Sequence, residues 1–241
     1  MLGLVTIGQS PRADLTLDVM PLVAAAAGDV VEHGALDHLS DAQISRLYPK
    51  EGEETLVSRL RDGSGAVLGH DQLIPYINHA IDECLSDGAT RVILMCTGSF
   101  DLGRADHVVR GADELAHSWV VSQLDGARIG VVSPMVGQLA AAAERWKDLT
   151  GRTPIQAACD PYSASDEAIV AAVRRVVERG AEAVLLDCIG YRVATAKEAA
   201  TLTGVPVWAA REAALVHSLA RANESPPASM TLWRGRRTAS R

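Results

Sequence analysis

Gly88-Ala89-Thr90-Arg91-Val92-Ile93-Leu94-Met95-Cys96-Thr97-Gly98 and Gly180-Ala181-Glu182-Ala183-Val184-Leu185-Leu186-Asp187-Cys188-Ile189-Gly190 are the two stretches on which the reading turns. Each opens on a Gly-Ala turn, continues as a short apolar run and closes on Cys-x-Gly. An apolar run bounded by turn signals predicts a buried strand. Cys96 and Cys188 then fall at the carboxyl ends of two equivalent strands, the edge at which open α/β sheets bind ligands. A free cysteine taken alone reads as a small core residue. The matched placement of these two favours a functional pair, one thiol on each side of a shared substrate.

Outward from these runs, strands alternate with helices, which predicts parallel, doubly wound sheets. The first half is expected to hold a strand at Leu2–Ile7, a helix from about Ala13 to Ala27 and a short helix started by the capping box Ser40-Asp41-Ala42-Gln43. Helical spacing over Glu53–Arg61, a strand at Gly65–Gly69, a helix at Leu73–Leu85 with Pro75 in its first turn, the Cys96 strand and a helix at Ala112–Leu124 complete it. The second half is expected to begin at Arg128, with a strand at Ile129–Ser133 and a helix capped by Ser133-Pro134 and stopped by Gly151. A strand at Pro154–Cys159, a helix at Ser165–Arg179, the Cys188 strand, a helix at Ala194–Thr201, a strand at Val205–Trp208 and a helix at Arg211–Arg221 follow. Leu4-Val5-Thr6-Ile7-Gly8 corresponds to Ile129-Gly130-Val131-Val132-Ser133, so the chain reads as a duplicated α/β unit. The expected division is residues 1–125, residues 126–222 with a last helix able to cross back, and a flexible basic tail at 223–241.

The chain has 241 residues and a formal net charge of −7, which disfavours a broad nucleic-acid surface. No apolar segment reaches membrane length, and Met1–Gly8 does not read as a signal peptide, so a cytoplasmic protein with reduced thiols is expected. The four cysteines form no Cys-x-x-Cys clip, and no pair of the seven histidines has helical metal-ligand spacing, so no metal is expected. Cys84 and Cys159 read as core residues. His70-Asp71 reads as loop polarity beside a strand end. A thiolate base needs a pKa lowered toward neutrality, and a helix N-terminus after each Cys-x-Gly turn is the expected source of that shift. Glycine in that turn allows N–H groups to approach a ligand. The loop Thr6-Ile7-Gly8-Gln9-Ser10-Pro11-Arg12 gathers hydroxyls, an amide, backbone N–H groups and a guanidinium, a composition suited to a carboxylate. The same residues also read as an ordinary capped loop. Ser133 is its counterpart in the second half. Thr97 is a candidate donor to substrate, and strand alternation turns Asp187 away from the cysteine, although its charge would raise the Cys188 pKa.

These residues resemble the AroM family. The resemblance rests on Thr6-Ile7-Gly8-Gln9-Ser10-Pro11-Arg12, Gly34-Ala35-Leu36-Asp37, Tyr48-Pro49-Lys50-Glu51-Gly52-Glu53, Leu60-Arg61-Asp62-Gly63 and Met95-Cys96-Thr97-Gly98-Ser99-Phe100, and it covers roughly residues 2–222. The wider similarity is to the aspartate/glutamate/hydantoin racemase superfamily. It implies two pseudosymmetric α/β domains with the site in the cleft between them and one catalytic cysteine from each, here Cys96 and Cys188. Glutamate racemases typically carry Cys-Asn-Thr and Cys-Thr-His; Cys-Thr-Gly and Cys-Ile-Gly look more like hydantoin-type racemases. The expected activity is a cofactor-independent racemase or isomerase acting on a small carboxylate- or imide-bearing molecule. Thr6, Gly8, Gln9, Ser10, Arg12, Thr97, Gly98, Ser133 and Gly190 are the expected substrate contacts. The alternatives are a lyase or decarboxylase using one thiol, and a non-catalytic small-molecule-binding protein on the same fold. The partner expected is a small anionic substrate, with neither nucleic acid nor membrane, and the sequence leaves open whether copies assemble into a homo-oligomer.

Overall fold

The computed structural model describes residues 1–15, 18, 19, 21, 29–105 and 108–223. The chain runs β1 (Leu2–Thr6), β2 (Val30–Gly34), α1 (Asp41–Ser45), β3 (Thr55–Arg59), β4 (Gly65–Gly69), α2 (His70–Ser86), β5 (Arg91–Met95), β6 (Val109–Gly111) and α3 (Ala112–Gln123). It continues with β7 (Ile129–Ser133), a 3-10 turn (Val136–Gln138), α4 (Leu139–Thr150), β8 (Ile155–Ala158), α5 (Asp166–Glu178), β9 (Ala183–Leu186), α6 (Val193–Thr203), β10 (Val207–Ala209) and α7 (Ala210–Asn223). The strands form two parallel four-stranded sheets, ordered β2-β1-β5-β6 and β8-β7-β9-β10, plus the antiparallel hairpin β3-β4.

Without the hairpin, the two sheets have the same strand order, so β1 corresponds to β7 and β5 to β9. In each sheet the chain leaves the central strand to one side and returns on the other, which opens a crevice at the strands' carboxyl ends. The crevice of the first sheet lies between the ends of β1 and β5, where Cys96 follows β5. That of the second lies between β7 and β9, where Ser133 ends β7 and Cys188 follows β9. β1, β5, β7 and β9 are buried almost throughout, as strands covered on both faces must be. One buried cluster joins Leu2 and Leu4 of β1, Leu115, Ala116 and Val120 of α3, Val131 of β7 and Ala213–Leu215 of α7. The last helix does cross back: α7 packs along α3. This shared core holds the two crevices in a fixed relation, because a close-packed interior resists small shifts.

Local signals explain most boundaries. The capping box is present, with the Gln43 side chain returning to the Ser40 N–H at 2.9 Å. The Ser165 hydroxyl accepts from the Ala168 N–H at the start of α5, and Gly180 ends the connection to β9 at φ +96. Five readings need correction or addition. Helical spacing over Glu53–Arg61 gives way to β3, whose burial alternates and whose Thr-Leu-Val-Ser-Arg run pairs with β4 across a turn containing Gly63 at φ +88. The second-half helix begins at Leu139 after a 3-10 turn, because Ser133 is still in the ladder, where its carbonyl accepts from the Cys159 N–H. Pro75 lies in the second turn of α2, since that helix starts at His70. Strands β2 and β6 carry no isolated apolar run and form through pairing alone. The expected helix at 13–27 is helical where described, and the tail beyond Asn223 lies outside the described residues. Among the described residues no helix is long and apolar enough to cross a membrane.

Candidate active site

The loops that leave β1, β5, β7 and β9 converge on one cavity enclosing about 630 Å³, open solvent at its mouth included. Ile7 and Arg12 come from the first loop, Cys96, Thr97 and Gly98 from the second, Ser133 and Pro134 from the third, and Asp187, Cys188 and Ile189 from the fourth. The hairpin strand β3 closes one side with Leu56, Val57 and Ser58, and α4 closes another with Ala141, Ala142 and Arg145. Cys96 and Cys188 are each 7% exposed and both line this space.

The two thiols have matching local surroundings. The Gly98 N–H donates to Cys96 Sγ at 3.3 Å, and the Gly190 N–H donates to Cys188 Sγ at 3.3 Å. Burial nevertheless dominates: it pushes the Cys96 thiol well above the ordinary range and Cys188 up to about 11. The Gly98 N–H opposes the rise at Cys96. The Gly190 N–H and the Tyr162 hydroxyl oppose it at Cys188, while the Asp187 carboxylate adds to it. The downward shift expected from helix N-termini is absent because β5 leads into a loop and α6 starts only at Val193. Both thiols therefore rest neutral, with an N–H already aimed at each sulfur to stabilise a thiolate when one forms.

The structure separates the sequence-predicted contacts into two groups. Arg12, Thr97, Gly98 and Ser133 line the cavity with the cysteines. Thr6, Gly8, Gln9, Ser10 and Gly190 do not, because each is committed to shaping a loop. The Thr6 hydroxyl accepts from the Gly8 N–H at 3.2 Å and from Arg12 at 3.4 Å. Gly8 lies so close to β3 that a Cβ there would sit 2.3 Å from the Arg59 carbonyl oxygen. The Gln9 side chain bridges the Leu36 carbonyl and the Arg61 N–H. Ser10 donates both its N–H (2.7 Å) and its hydroxyl (2.5 Å) to Asp37. Gly190 leaves room for Tyr162, whose Cζ would lie 2.7 Å from a Cβ at that position.

Arg12 crosses the loop to reach the cavity and forms a two-point ion pair with Asp14 at 2.8 Å per contact. Its guanidinium also stands 5.7 Å from the centre of the Tyr162 ring. Thr97 joins the halves: its hydroxyl donates to the Asp187 carbonyl at 3.3 Å, and its own carbonyl accepts from Arg145 at 3.5 Å. The Asp187 carboxylate turns away from Cys188, as alternation predicts, toward His117 Nε2 at 2.9 Å and Trp146 Nε1 at 3.4 Å. Burial opposes ionisation of Asp187, but His117, through charge and hydrogen bond, together with Arg145 and Trp146, holds it below the usual carboxylate range.

Sequence reasoning missed Ser58, Arg145, Tyr162, His117 and Arg211. Ser58 was hidden by the helical reading of β3. Arg145 lies two residues after the small-residue run Ala140–Ala143, a weak signal that a helix face meets a cavity. Tyr162, His117 and Arg211 carry no local signal. Arg211, fully buried at the start of α7, donates to the Ile189 and Gly190 carbonyls at 2.8 Å each, to the Asp14 carbonyl at 2.7 Å and to the Asp18 carboxylate at 3.1 Å. One guanidinium thus ties the Cys188 loop to the segment after Arg12.

Solved structures share this fold. Allantoin racemase from Pseudomonas fluorescens is 19% identical, with 92% of this chain and 91% of that one covered at a TM-score of 0.58. A cysteine-to-serine mutant of Nocardia farcinica maleate cis-trans isomerase, with a covalently bound succinylcysteine intermediate, is 15% identical, with 92% of each chain covered and a TM-score of 0.57. A liganded double mutant of arylmalonate decarboxylase is 14% identical, with 92% of each chain covered and a TM-score of 0.58. More specifically, the AroM protein family matches residues 2–220, and the chain belongs to that family.

Proposed function

We propose that this chain is a cofactor-independent racemase or isomerase in which Cys96 and Cys188 exchange a proton across a small carboxylate- or imide-bearing substrate. The observation that carries the reading is two thiols from equivalent strand ends lining one cavity, each facing an N–H two residues on. The halves at residues 1–125 and 126–222 form the walls of the cleft. One sulfur, as thiolate, removes the proton from the acidic C–H, and the opposite S–H delivers its proton to the other face, so the two thiols exchange protonation states in each turnover. In this reading Arg145, Thr97, Gly98 and Ser133, which line the cavity, hold the anionic part of the substrate, and Arg12 adds positive charge that Asp14 partly balances. Donors fixed before the enolate forms are what such a step requires, and losing one costs on the order of a hundredfold in rate. A separation of about 7–8 Å between the sulfurs in a substrate complex would suit one carbon held at hydrogen-bonding distance from each.

The two thiols are not equivalent, and this favours a second reading. Tyr162 faces Cys188, whose pKa is raised less than that of Cys96. A lyase or decarboxylase using Cys188 alone to return a proton to a carbanion fits that asymmetry. Exchange of α-hydrogen in deuterated water, followed by NMR over a panel of hydantoins, amino acids and substituted malonates, separates the readings. The racemase reading expects exchange with no group lost, and its loss by at least a hundredfold in both Cys96→Ala and Cys188→Ala. Full activity in either folded variant overturns the two-thiol mechanism. Release of carbon dioxide that depends on Cys188 alone establishes the second reading. Tight ligand binding without exchange assigns the cavity to binding only.

A further inference from the structure

On the outer edge of the first sheet, away from the cavity, three histidines surround one carboxylate. His33 lies on the edge strand β2, His38 lies in the loop that follows it, and His79 and Glu83 occupy successive turns of one α2 face. His38 Nε2 is 2.8 Å and His79 Nε2 is 3.9 Å from Glu83 Oε1. His33 Nδ1 is 3.5 Å from Glu83 Oε2, and His33 Nε2 is 2.8 Å from Asp87. One donor atom from each of His38, His79 and Glu83 lies within 4.8 Å of the other two.

Glu83 Oε2 is buried and has no hydrogen-bond partner. A buried carboxylate oxygen without a partner is costly, so its environment points to something further. His33 Nδ1 stands 3.5 Å from that oxygen while its Nε2 pairs with Asp87 at 2.8 Å, the pattern that orients metal-binding imidazoles, in which a carboxylate fixes the nitrogen that does not bind. In a tetrahedral zinc site with bonds of about 2.0–2.1 Å, neighbouring donors stand about 3.3 Å apart. The Glu83 Oε1 separations of 2.8 Å to His38 and 3.9 Å to His79 bracket that value, and the three donor atoms all lie within 4.8 Å of one another, so side-chain rotations alone can bring them to it.

We propose that His38, His79 and Glu83, with His33 on the second carboxylate oxygen, bind one divalent transition-metal ion of the zinc class. Imidazole-rich donors select such an ion over magnesium or calcium, which take oxygen ligands. The exposed rings of His38 and His79 leave an entry path from solvent. The ion joins β2 and its following loop to α2, which the sequence expectation of no metal did not foresee, because the ligands come from separate segments. The same loop carries Asp37, which anchors Ser10.

The test is calorimetric titration of the full chain with zinc chloride near pH 7.5, with magnesium chloride as the comparison. The expected result is one zinc bound in the micromolar range or tighter, at least tenfold weaker binding in His38→Ala and in His79→Ala, and a zinc-dependent rise in melting temperature that both variants lose. Binding should be unchanged in a Cys96→Ser, Cys188→Ser chain, which shows that the cavity thiols are not the ligands. Circular dichroism confirms folding of each variant, both histidines being exposed. Absence of zinc binding in the wild-type chain, retention of affinity within twofold in the two histidine variants, dependence on the cysteines, or equal binding of magnesium each overturns the proposal.

Discussion

Arg211→Met removes a side chain that hydrogen-bonds both the Cys188 loop and the segment after Arg12. The guanidinium is fully buried and makes four hydrogen bonds, to the carbonyls of Ile189, Gly190 and Asp14 and to the Asp18 carboxylate. Methionine fills similar volume but donates nothing, so the Ile189 and Gly190 carbonyls lose these buried donors. Asp18 is partly exposed and recovers water, which lowers its share of the loss. Breaking a buried charged contact costs about 3–5 kcal/mol, and the well-matched shape places methionine at the lower end of that range. Lysine keeps the charge but is a compact point donor without the planar fork, so Arg211→Lys should recover only part of the loss. Denaturant unfolding measures the change, and hydrogen exchange over residues 187–193 localises it. Exchange there should accelerate at least tenfold, while α5, on the far side of the second sheet, keeps its protection. A stability loss below about 1 kcal/mol with unchanged exchange in this segment would refute the view that Arg211 positions the cysteine loop.

Two further outcomes follow from the electrostatics. Alkylation of Cys188 by iodoacetamide in the ligand-free protein should keep rising with pH to about 11, and that of Cys96 further still, because burial raises both thiols; a plateau below the ordinary thiol range would contradict this. His117→Ala deprives the buried Asp187 carboxylate of its nearest partner and should cost about 3 kcal/mol or more at pH 7. The sign with pH is fixed. In the native chain the Asp187 pKa is lowered, so its contribution to stability is present above the unfolded value of 3.8 and lost as pH falls through the folded one. In the variant Arg145 and Trp146 still oppose burial but His117 no longer does, so the pKa rises and the variant should regain ground on the native chain as pH drops from 7 toward 4. A gap that widens on acidification would count against the pairing.

The duplicated fold was legible in the sequence because its evidence is local. Apolar runs closed by Cys-x-Gly, turn glycines and helix caps each report on a few neighbouring residues, and the structure places β5, β9 and most helices close to the expected positions. Legibility failed where tertiary contact overrode local spacing. β3 has helical spacing over Glu53–Arg61, but its partner β4 and the close approach of Gly8 make it a strand. The loop at Thr6–Arg12 has the composition of an anion site, yet Asp37, Leu36 and Arg61 consume most of its polar groups, leaving Arg12 to reach the cavity. The same composition serves either role, and only the position of the partners distinguishes them.

By itself the sequence determined the repeat, the parallel sheets and the two strand ends that carry sulfur, since periodicity and turn chemistry act over short range. The tertiary structure alone decided that both thiols line one cavity, that burial holds them neutral, and which of the polar neighbours face that space. Those properties arise from groups distant in the chain, such as Tyr162, Asp187, Arg145 and Arg211, whose electrostatic and hydrogen-bonding effects depend on separation in space rather than on spacing along the backbone.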